Sequence, residues 1–372
     1  DSSTSRGLGD VYKRQIQIYA VSAEEINLNA KAAVIMDAES GKILYEKSKD
    51  QKMPNASTTK ILTCLYILKH CDLDQMAEVS KNAAMQPKVR LGVREGEKYK
   101  VKDLLYGLML ESYNDCAVVL AEHAEGSVEK FEKRMNQMAE NLGTLNTHFV
   151  TPNGLDGIDK KGRHETTAQD LAKIMARCIK NQQFLEITQT KQYTFTDGSR
   201  KRRFICNNHN ALLSSMQGVI SGKTGYTSKA GYCYVGAVKQ KNMTMTFSVL
   251  ASGWPPHKTY KWKDVRKLVQ YATDHYERRE IIADTSKIKE ISIKNGLKEK
   301  VLLKTGNLKA AFLVKKTDKI KIESILPSFI DAPVKEGQKV GEIKYLINGK
   351  SQKSVPILSL IHISEPTRRR GI

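Results

Sequence analysis

The sequence predicts a mixed α/β fold in which helices flank an antiparallel sheet, followed by a small β-rich domain. Three observations carry this expectation. Two short strand-like runs joined by a hairpin turn stand near the N-terminus, at residues 31–38 and 43–46. Three further segments, 221–227, 231–238 and 243–251, alternate apolar with small or polar residues across short turns, as an antiparallel meander does. From 282 to 357 the texture shifts to short Val/Ile/Lys alternations punctuated by Gly296, Gly306, Gly337 and Gly341.

Between hairpin and meander the pattern is helical. Pro54-Asn55-Ala56-Ser57 supplies helix-start signals, and residues 60–68 are nearly continuous in apolar side chains, as in a helix buried on most sides. A second helical stretch from Val101 meets the polar run Glu111-Ser112-Tyr113-Asn114-Asp115, then resumes from Cys116 to His123, so the run interrupts two buried helices. Residues 168–178 and 261–279 read as amphipathic helices on either side of the meander. A chain of 372 residues favours two domains, and the texture places them at 24–281 and 282–357.

Lys and Arg outnumber Asp and Glu by 61 to 40, a formal charge of +21 that suits polyanionic surroundings such as anionic lipid, wall polymer or nucleic acid. The excess is dispersed. Without zinc-finger spacing, an aromatic nucleic-acid platform or a basic heptad helix, charge is the only support for a nucleic-acid binder. The six cysteines form no CxxC pair, which argues against a structural metal; buried free thiols are expected, with a disulfide left open. No apolar run reaches the roughly eighteen residues of a membrane-spanning helix. Residues 16–23 end in V-x-A, which fits either the tail of a signal peptide or an ordinary leader. Residues 1–15 and 358–370 have no amphipathic period, resemble translated adaptor sequence, and are set aside from the fold.

Three motifs carry chemistry. Ser57-Thr58-Thr59-Lys60 puts a hydroxyl and an amine three apart at a helix start, within reach of each other. A lysine amine is a base at neutral pH only if burial or a nearby cation lowers its pKa, and the apolar helix after Lys60 supplies burial. The same spacing at Ser127 and Ser286 leads into polar or mixed segments, where it reads as a helix cap or a turn. Ser112-Tyr113-Asn114 can turn a hydroxyl and a carboxamide into one cavity only if the backbone leaves the helix; Ser80-Lys81-Asn82, in a charged stretch, reads as a plain turn. Lys223-Thr224-Gly225 sets a cation and a hydroxyl on a strand beside a Gly that admits another backbone, so that a substrate can lie along it as an added strand. A second K-T-G at Lys304 reads as a strand end and turn.

S-x-x-K, S-x-N and K-T-G in this order are far more specific than any one of them. With residues 31–47 and 104–123 around them, they resemble the low-molecular-mass penicillin-binding proteins of the serine-type D-alanyl-D-alanine carboxypeptidase family, over residues 24–357. The resemblance implies a serine β-lactamase/DD-peptidase-like catalytic domain and a β-rich C-terminal domain. By it, Ser57 attacks the carbonyl between two D-alanines, Lys60 takes its proton, and Ser112 with Asn114 relays protons and holds the substrate amide. Lys223 and Thr224 bind the terminal carboxylate, Gly225 lets the strand approach, and the N–H groups of Ser57 and Tyr226 form the oxyanion hole. It calls for no metal or cofactor. The implied partners are peptidoglycan stem peptides ending in D-Ala-D-Ala, and β-lactams as covalent inhibitors. The implied location is the outer face of the cytoplasmic membrane or the cell wall, with peripheral membrane association. Two positions depart from the family pattern: Tyr226 stands where many relatives have His, and Gly253-Trp254-Pro255-Pro256-His257-Lys258 replaces an Arg-containing stretch.

Two alternatives share the motifs. A β-lactamase needs a deacylating carboxylate, whereas Arg163-His164-Glu165-Thr166-Thr167-Ala168 follows the carboxypeptidase pattern. A penicillin-recognising sensor or wall-binding protein would be acylated with little turnover.

Overall fold

The computed structural model describes residues 26–286 and 288–364. The leader with its V-x-A pattern, and residues 365–372, lie outside the described residues.

β1 (Ala32–Asp37) and β2 (Ile43–Lys47) pair antiparallel as the expected hairpin. Every residue of β1 is buried because the strand has a core on each face: Val34 and Met36 enter one, Ala33 and Ile35 the other. α1 (Lys60–His70) is buried from Lys60 through Ile67, which is why its sequence shows little amphipathic alternation. α2 (Val101–Tyr106), α3 (Asn114–Glu125), α4 (Val128–Asn141) and α5 (Ala168–Cys178) complete the helical layer on that face of the sheet.

β3 (Val219–Thr227), β4 (Gly231–Gln240) and β5 (Met243–Leu250) form the predicted meander and close the sheet in the order β2-β1-β5-β4-β3, with all neighbours antiparallel. This leaves β3, the K-T-G strand, on a free edge. α6 (Tyr260–His275) covers the opposite face, packing Val265, Leu268, Val269 and Ala272 onto Ile35, Phe247 and Val249. All six cysteines are free thiols, five of them buried.

The helix expected over 261–279 ends earlier. α6 stops at His275, and Tyr276–Ile282 is a strand, β6. Tyr276-Glu277-Arg278-Arg279-Glu280 carries no local strand signal; its conformation is imposed by antiparallel pairing with β9 (Lys309–Lys315), more than thirty residues away. Between and after these come β7 (Glu290–Lys294), β8 (Lys300–Thr305), β10 (Ile320–Ile325), β11 (Phe329–Asp331), β12 (Lys339–Ile347) and β13 (Lys350–Ser359). They make a sheet of order β10-β12-β13-β8-β7-β11, in which only β7 and β11 run parallel. Setting residues 358 onward apart from the fold is also corrected: Leu358 and Ser359 pair with β8, and Ile363 is buried against Ile291, Val301 and Val334.

The β-rich unit is fastened to the N-terminal one by polar contacts. Arg278 reaches Asp37 Oδ1 (3.1 Å) and Glu39 Oε2 (2.5 Å), Lys42 Nζ donates to Leu313 O (3.1 Å), and Lys316 Nζ to Thr273 O (3.2 Å). Asp37 is wholly buried, and its other side-chain bonds come from Ser40 alone. Removing Arg278 strips a buried carboxylate of its cation, so Arg278→Ala is expected to lower the free energy of unfolding by about 1–3 kcal/mol. Denaturant titration followed by fluorescence of the two tryptophans, Trp254 and Trp262, measures it; a loss below about 0.5 kcal/mol would mean that this contact is not an anchor.

Candidate active site

The turn that carries Ser57 is shaped from below. Ala56 sits in the left-handed region (φ 49°), and Ala56–Thr59 is a 3-10 turn running into α1. Two threonine hydroxyls fold back to hold it: Thr58 Oγ1 donates to Asn55 O (2.6 Å) and Thr59 Oγ1 to Ala56 O (2.9 Å). Asn55 Nδ2 donates to both hydroxyls, at 3.1 and 2.8 Å. His164 completes the support. Its Nδ1 accepts the Val150 N–H (2.9 Å), so Nε2 carries the proton and donates to Thr59 Oγ1 (2.8 Å). Burial pushes its pKa down to about 3, so the ring is neutral. Neighbouring backbone fits against the turn only because two residues lack a Cβ. At Gly154 a Cβ would stand 2.1 Å from Ala56 O, and at Gly225 3.0 Å from both Asn55 O and Ser57 N.

Lys60 starts α1 and is wholly buried. Its Nζ lies 2.9 Å from Ser57 Oγ, 2.9 Å from Asn114 Oδ1 and 2.7 Å from Asn153 O. Burial, and then the charge of Lys223, lower its pKa well below the usual lysine value. Its N–H groups donate to the two carbonyl oxygens and to Ser57 Oγ; once the amine gives up a proton, the carbonyls keep two N–H bonds and the lone pair is left for the serine hydroxyl.

Ser112 and Asn114 meet the site because the helix breaks where the sequence reading required. α2 runs into a π-helical turn, Gly107–Glu111, and Ser112 then takes a left-handed conformation (φ 67°, ψ 31°) before α3 begins at Asn114. Gly107 permits the turn, since a Cβ there would press to 3.1 Å on Cys116 Sγ and the Tyr113 ring. Asp115, buried beside Asn114, accepts the N–H groups of Leu91 (2.9 Å) and Gly92 (2.7 Å), while Asn114 N donates to Val89 O (2.8 Å). Glu111 accepts from Asn207 N (2.6 Å) and pairs with His209 Nε2 (2.7 Å). The break is thus tied on both sides.

On β3, Lys223 and Gly225 face the Ser57 turn. Lys223 Nζ donates to Ser112 Oγ (2.9 Å) and Thr224 O (3.0 Å), and burial lowers its pKa to about 7. Thr224 and Tyr226 occupy the other face of the strand, opposite their cross-strand partners Tyr234 and Tyr232; Thr224 is half-buried and Tyr226 is 44% exposed. The structure therefore gathers Ser57, Lys60, Ser112, Asn114, Lys223 and Gly225 into one polar cluster, with Thr224 and Tyr226 at its rim. The motif reading missed Asn153, whose backbone carbonyl carries no residue signature, and His164 and Gly154, which act on the turn rather than in the cluster.

The arrangement supplies a hydroxyl hydrogen-bonded to a buried amine of lowered pKa and a second amine on a free strand edge. That is the equipment of acyl transfer through a serine. Comparison with known proteins agrees. The D-alanyl-D-alanine carboxypeptidase family profile matches residues 19–253, and that of the penicillin-binding protein 5 C-terminal domain matches residues 276–365. The D-alanyl-D-alanine carboxypeptidase DacF of Bacillus subtilis (strain 168) is 29% identical over 341 residues, covering 90% of this chain and 85% of its own length. The D-alanyl-D-alanine carboxypeptidase of Streptomyces sp. (strain K15) is 34% identical over 268 residues, 68% of this chain and 90% of its own. The crystal structure of the D-alanyl-D-alanine carboxypeptidase DacD from Francisella tularensis superposes with a TM-score of 0.70 at 27% identity, covering 92% of this chain and 95% of that one. The chain belongs to the D-alanyl-D-alanine carboxypeptidase family of low-molecular-mass penicillin-binding proteins.

Proposed function

We propose that the family's reaction, serine-type hydrolysis of a D-alanyl-D-alanine bond, runs in this chain through an acyl-enzyme on Ser57 and trims peptidoglycan stem peptides. The observation that carries the assignment is the 2.9 Å contact between Ser57 Oγ and a buried Lys60 amine whose two N–H bonds are committed elsewhere. Ser57 Oγ attacks the penultimate D-alanine carbonyl while its proton passes to Lys60. The developing oxyanion is met by the N–H groups of Ser57 and Tyr226, a pairing supported by the close approach of Gly225, the residue before Tyr226, to Ser57 N. Lys223, protonated, holds the terminal carboxylate with Thr224, and its bond to Ser112 connects it to the route by which the leaving amine regains a proton. Asn114 orients Lys60 and the substrate amide. After D-alanine departs, water attacks the ester and Lys60 again takes the proton. β-Lactams present a reactive amide to the same groups and acylate Ser57.

On this reading the enzyme works outside the cytoplasmic membrane, at its outer face or in the wall, where its polymeric substrate lies. A charge of +21 suits that polyanionic setting and peripheral association with a membrane surface. Among the described residues no helix is long and apolar enough to cross a membrane.

Two outcomes are expected. Release of D-alanine from diacetyl-L-Lys-D-Ala-D-Ala should occur with the parent, stop with penicillin, and fall on the order of 10⁴-fold or more in Ser57→Ala, which should also lose labelling by fluorescent penicillin. Release that survives the substitution would place the nucleophile elsewhere, and labelling without release would favour a sensor. The second outcome concerns pH. Burial lowers the pKa of both amines, and the charge of Lys223 lowers that of Lys60 further. The proposed reaction needs Lys60 neutral, to take the serine proton, and Lys223 charged, to hold the carboxylate. The specificity constant kcat/KM, which reports the free enzyme, should fall as pH rises through about 7, where Lys223 loses its charge. Lys223→Arg stays charged and should remove that alkaline limb from whatever activity it keeps; the same limb in both proteins would assign it to another group.

A further inference from the structure

The free edge of β3 has a direction, and that direction points to an unassigned pocket. Granting the site reading above, the terminal carboxylate sits at Lys223 and Thr224, and the scissile carbonyl sits beside Gly225, next to the Ser57 N–H. A substrate extended along the edge must therefore send its acyl side onward past Tyr226 and Thr227. At about 3.3 Å per residue, its second and third residues before the scissile bond reach the end of the strand. The strand ends against a pocket of about 420 Å³. One rim comes from the turn after β3, with Lys229; the other comes from the hairpin formed by Ile158–Asp159 and Gly162–Arg163, with Arg163. Thr227 Oγ1 bonds to Asp156 Oδ1 (3.4 Å), which joins the strand end to the pocket wall. Pro54, just before the Ser57 turn, and His164, which supports that turn, line its inner side.

The charges in this pocket are unbalanced. Arg163 and Lys229 are both exposed, and among the described residues neither makes an ion pair. Asp156 is the one carboxylate lining the pocket and is engaged with Thr227. The hairpin's own Asp159 is turned to His148 (2.9 Å) and to the N–H groups of Lys161 and Gly162. His164 is neutral, with both ring nitrogens occupied. Two cations thus face one small cavity at the point where the acyl part of the substrate must pass.

We propose that this pocket is an upstream subsite that takes a carboxylate from the acyl side of the substrate, held by Arg163 and Lys229. Such a carboxylate has two sources: the side chain of the residue preceding D-Ala-D-Ala, or the peptide main chain upstream of it. Neither cation touches the reacting atoms, so the subsite selects among substrates and leaves the chemistry alone.

Three peptides test this: diacetyl-L-Lys-D-Ala-D-Ala, its Nε-succinyl analogue with a carboxylate on the side chain, and its Nα-succinyl analogue with one on the main chain. With the parent at low salt, one succinylated peptide is expected to exceed the diacetyl peptide by about fivefold in kcat/KM, and the preferred one identifies the source. In the double variant Arg163→Gln/Lys229→Gln the preference should vanish while the diacetyl peptide is turned over as before; in the parent it should shrink at high salt. A parent that turns over all three equally would overturn the subsite and leave the Ser57 reading standing. A preference that persists in the double variant would also overturn it. A folded parent that turns over none would overturn the site reading and the subsite together.

Discussion

A lysine amine held in the interior, its pKa pushed well down, is the constraint on which the rest of the N-terminal domain depends. Water would protonate the Lys60 amine at neutral pH, so the helix behind it must be apolar on nearly every side, and α1 is buried from Lys60 to Ile67. A buried amine also needs its hydrogens satisfied, or it would cost more than the fold can bear. Asn114, the Asn153 carbonyl and the Ser57 oxygen do this. Lys223 adds a positive charge that disfavours a second one nearby. Burial and like charge thus act in the same sense on one nitrogen.

Bringing those partners together forces the backbone into conformations that ordinary elements avoid. Ser112 and Asn114 are two apart, a spacing that no helix puts on one face, and the π-helical turn with a left-handed Ser112 resolves the conflict. The Ser57 turn needs a left-handed Ala56, which is held by Thr59, Asn55 and His164 rather than by any preference of its own. Backbone passes so near that only Gly154 and Gly225 fit. The strain is local, and the rigid sheet and buried helices on both sides bear it.

Much of this was legible in the residues, and the limits have physical causes. Hairpin and meander showed because alternation follows from strand geometry, and α1 showed because burial on most sides leaves a continuous apolar run. The break at Glu111–Asp115 was visible as polarity, but not as a π-turn, since the wider turn is set by the packing of Gly107 against Cys116 and Tyr113. The strand at Tyr276–Ile282 was misread as helix because its partner lies far along the chain. Leu358 to Ile363 were set aside for want of a period, yet they take part in pairing and burial that no local pattern announces. Side-chain members of the cluster could be named from motifs; the Asn153 carbonyl could not, because every residue has one.

The repeated motifs show what separates chemistry from coincidence at equal spacing. Ser127 also stands three before a lysine, but its hydroxyl accepts the Lys130 N–H (3.2 Å) as a helix cap, and the Lys130 side chain is exposed. Ser80 caps likewise, accepting from Ala83 N (3.0 Å). Lys304 and Thr305 end β8, with Gly306 just beyond. In each decoy the hydroxyl is spent on backbone or the amine is left in water. At Ser57 the helix start has no side-chain cap: Thr58 and Thr59 donate to carbonyls of the turn instead, and the serine oxygen, claimed by no backbone N–H, receives the Lys60 amine. Two threonines inside S-T-T-K therefore hold the turn through its carbonyls, and the absence of a capping bond is what sets Ser57 apart from Ser127 and Ser80.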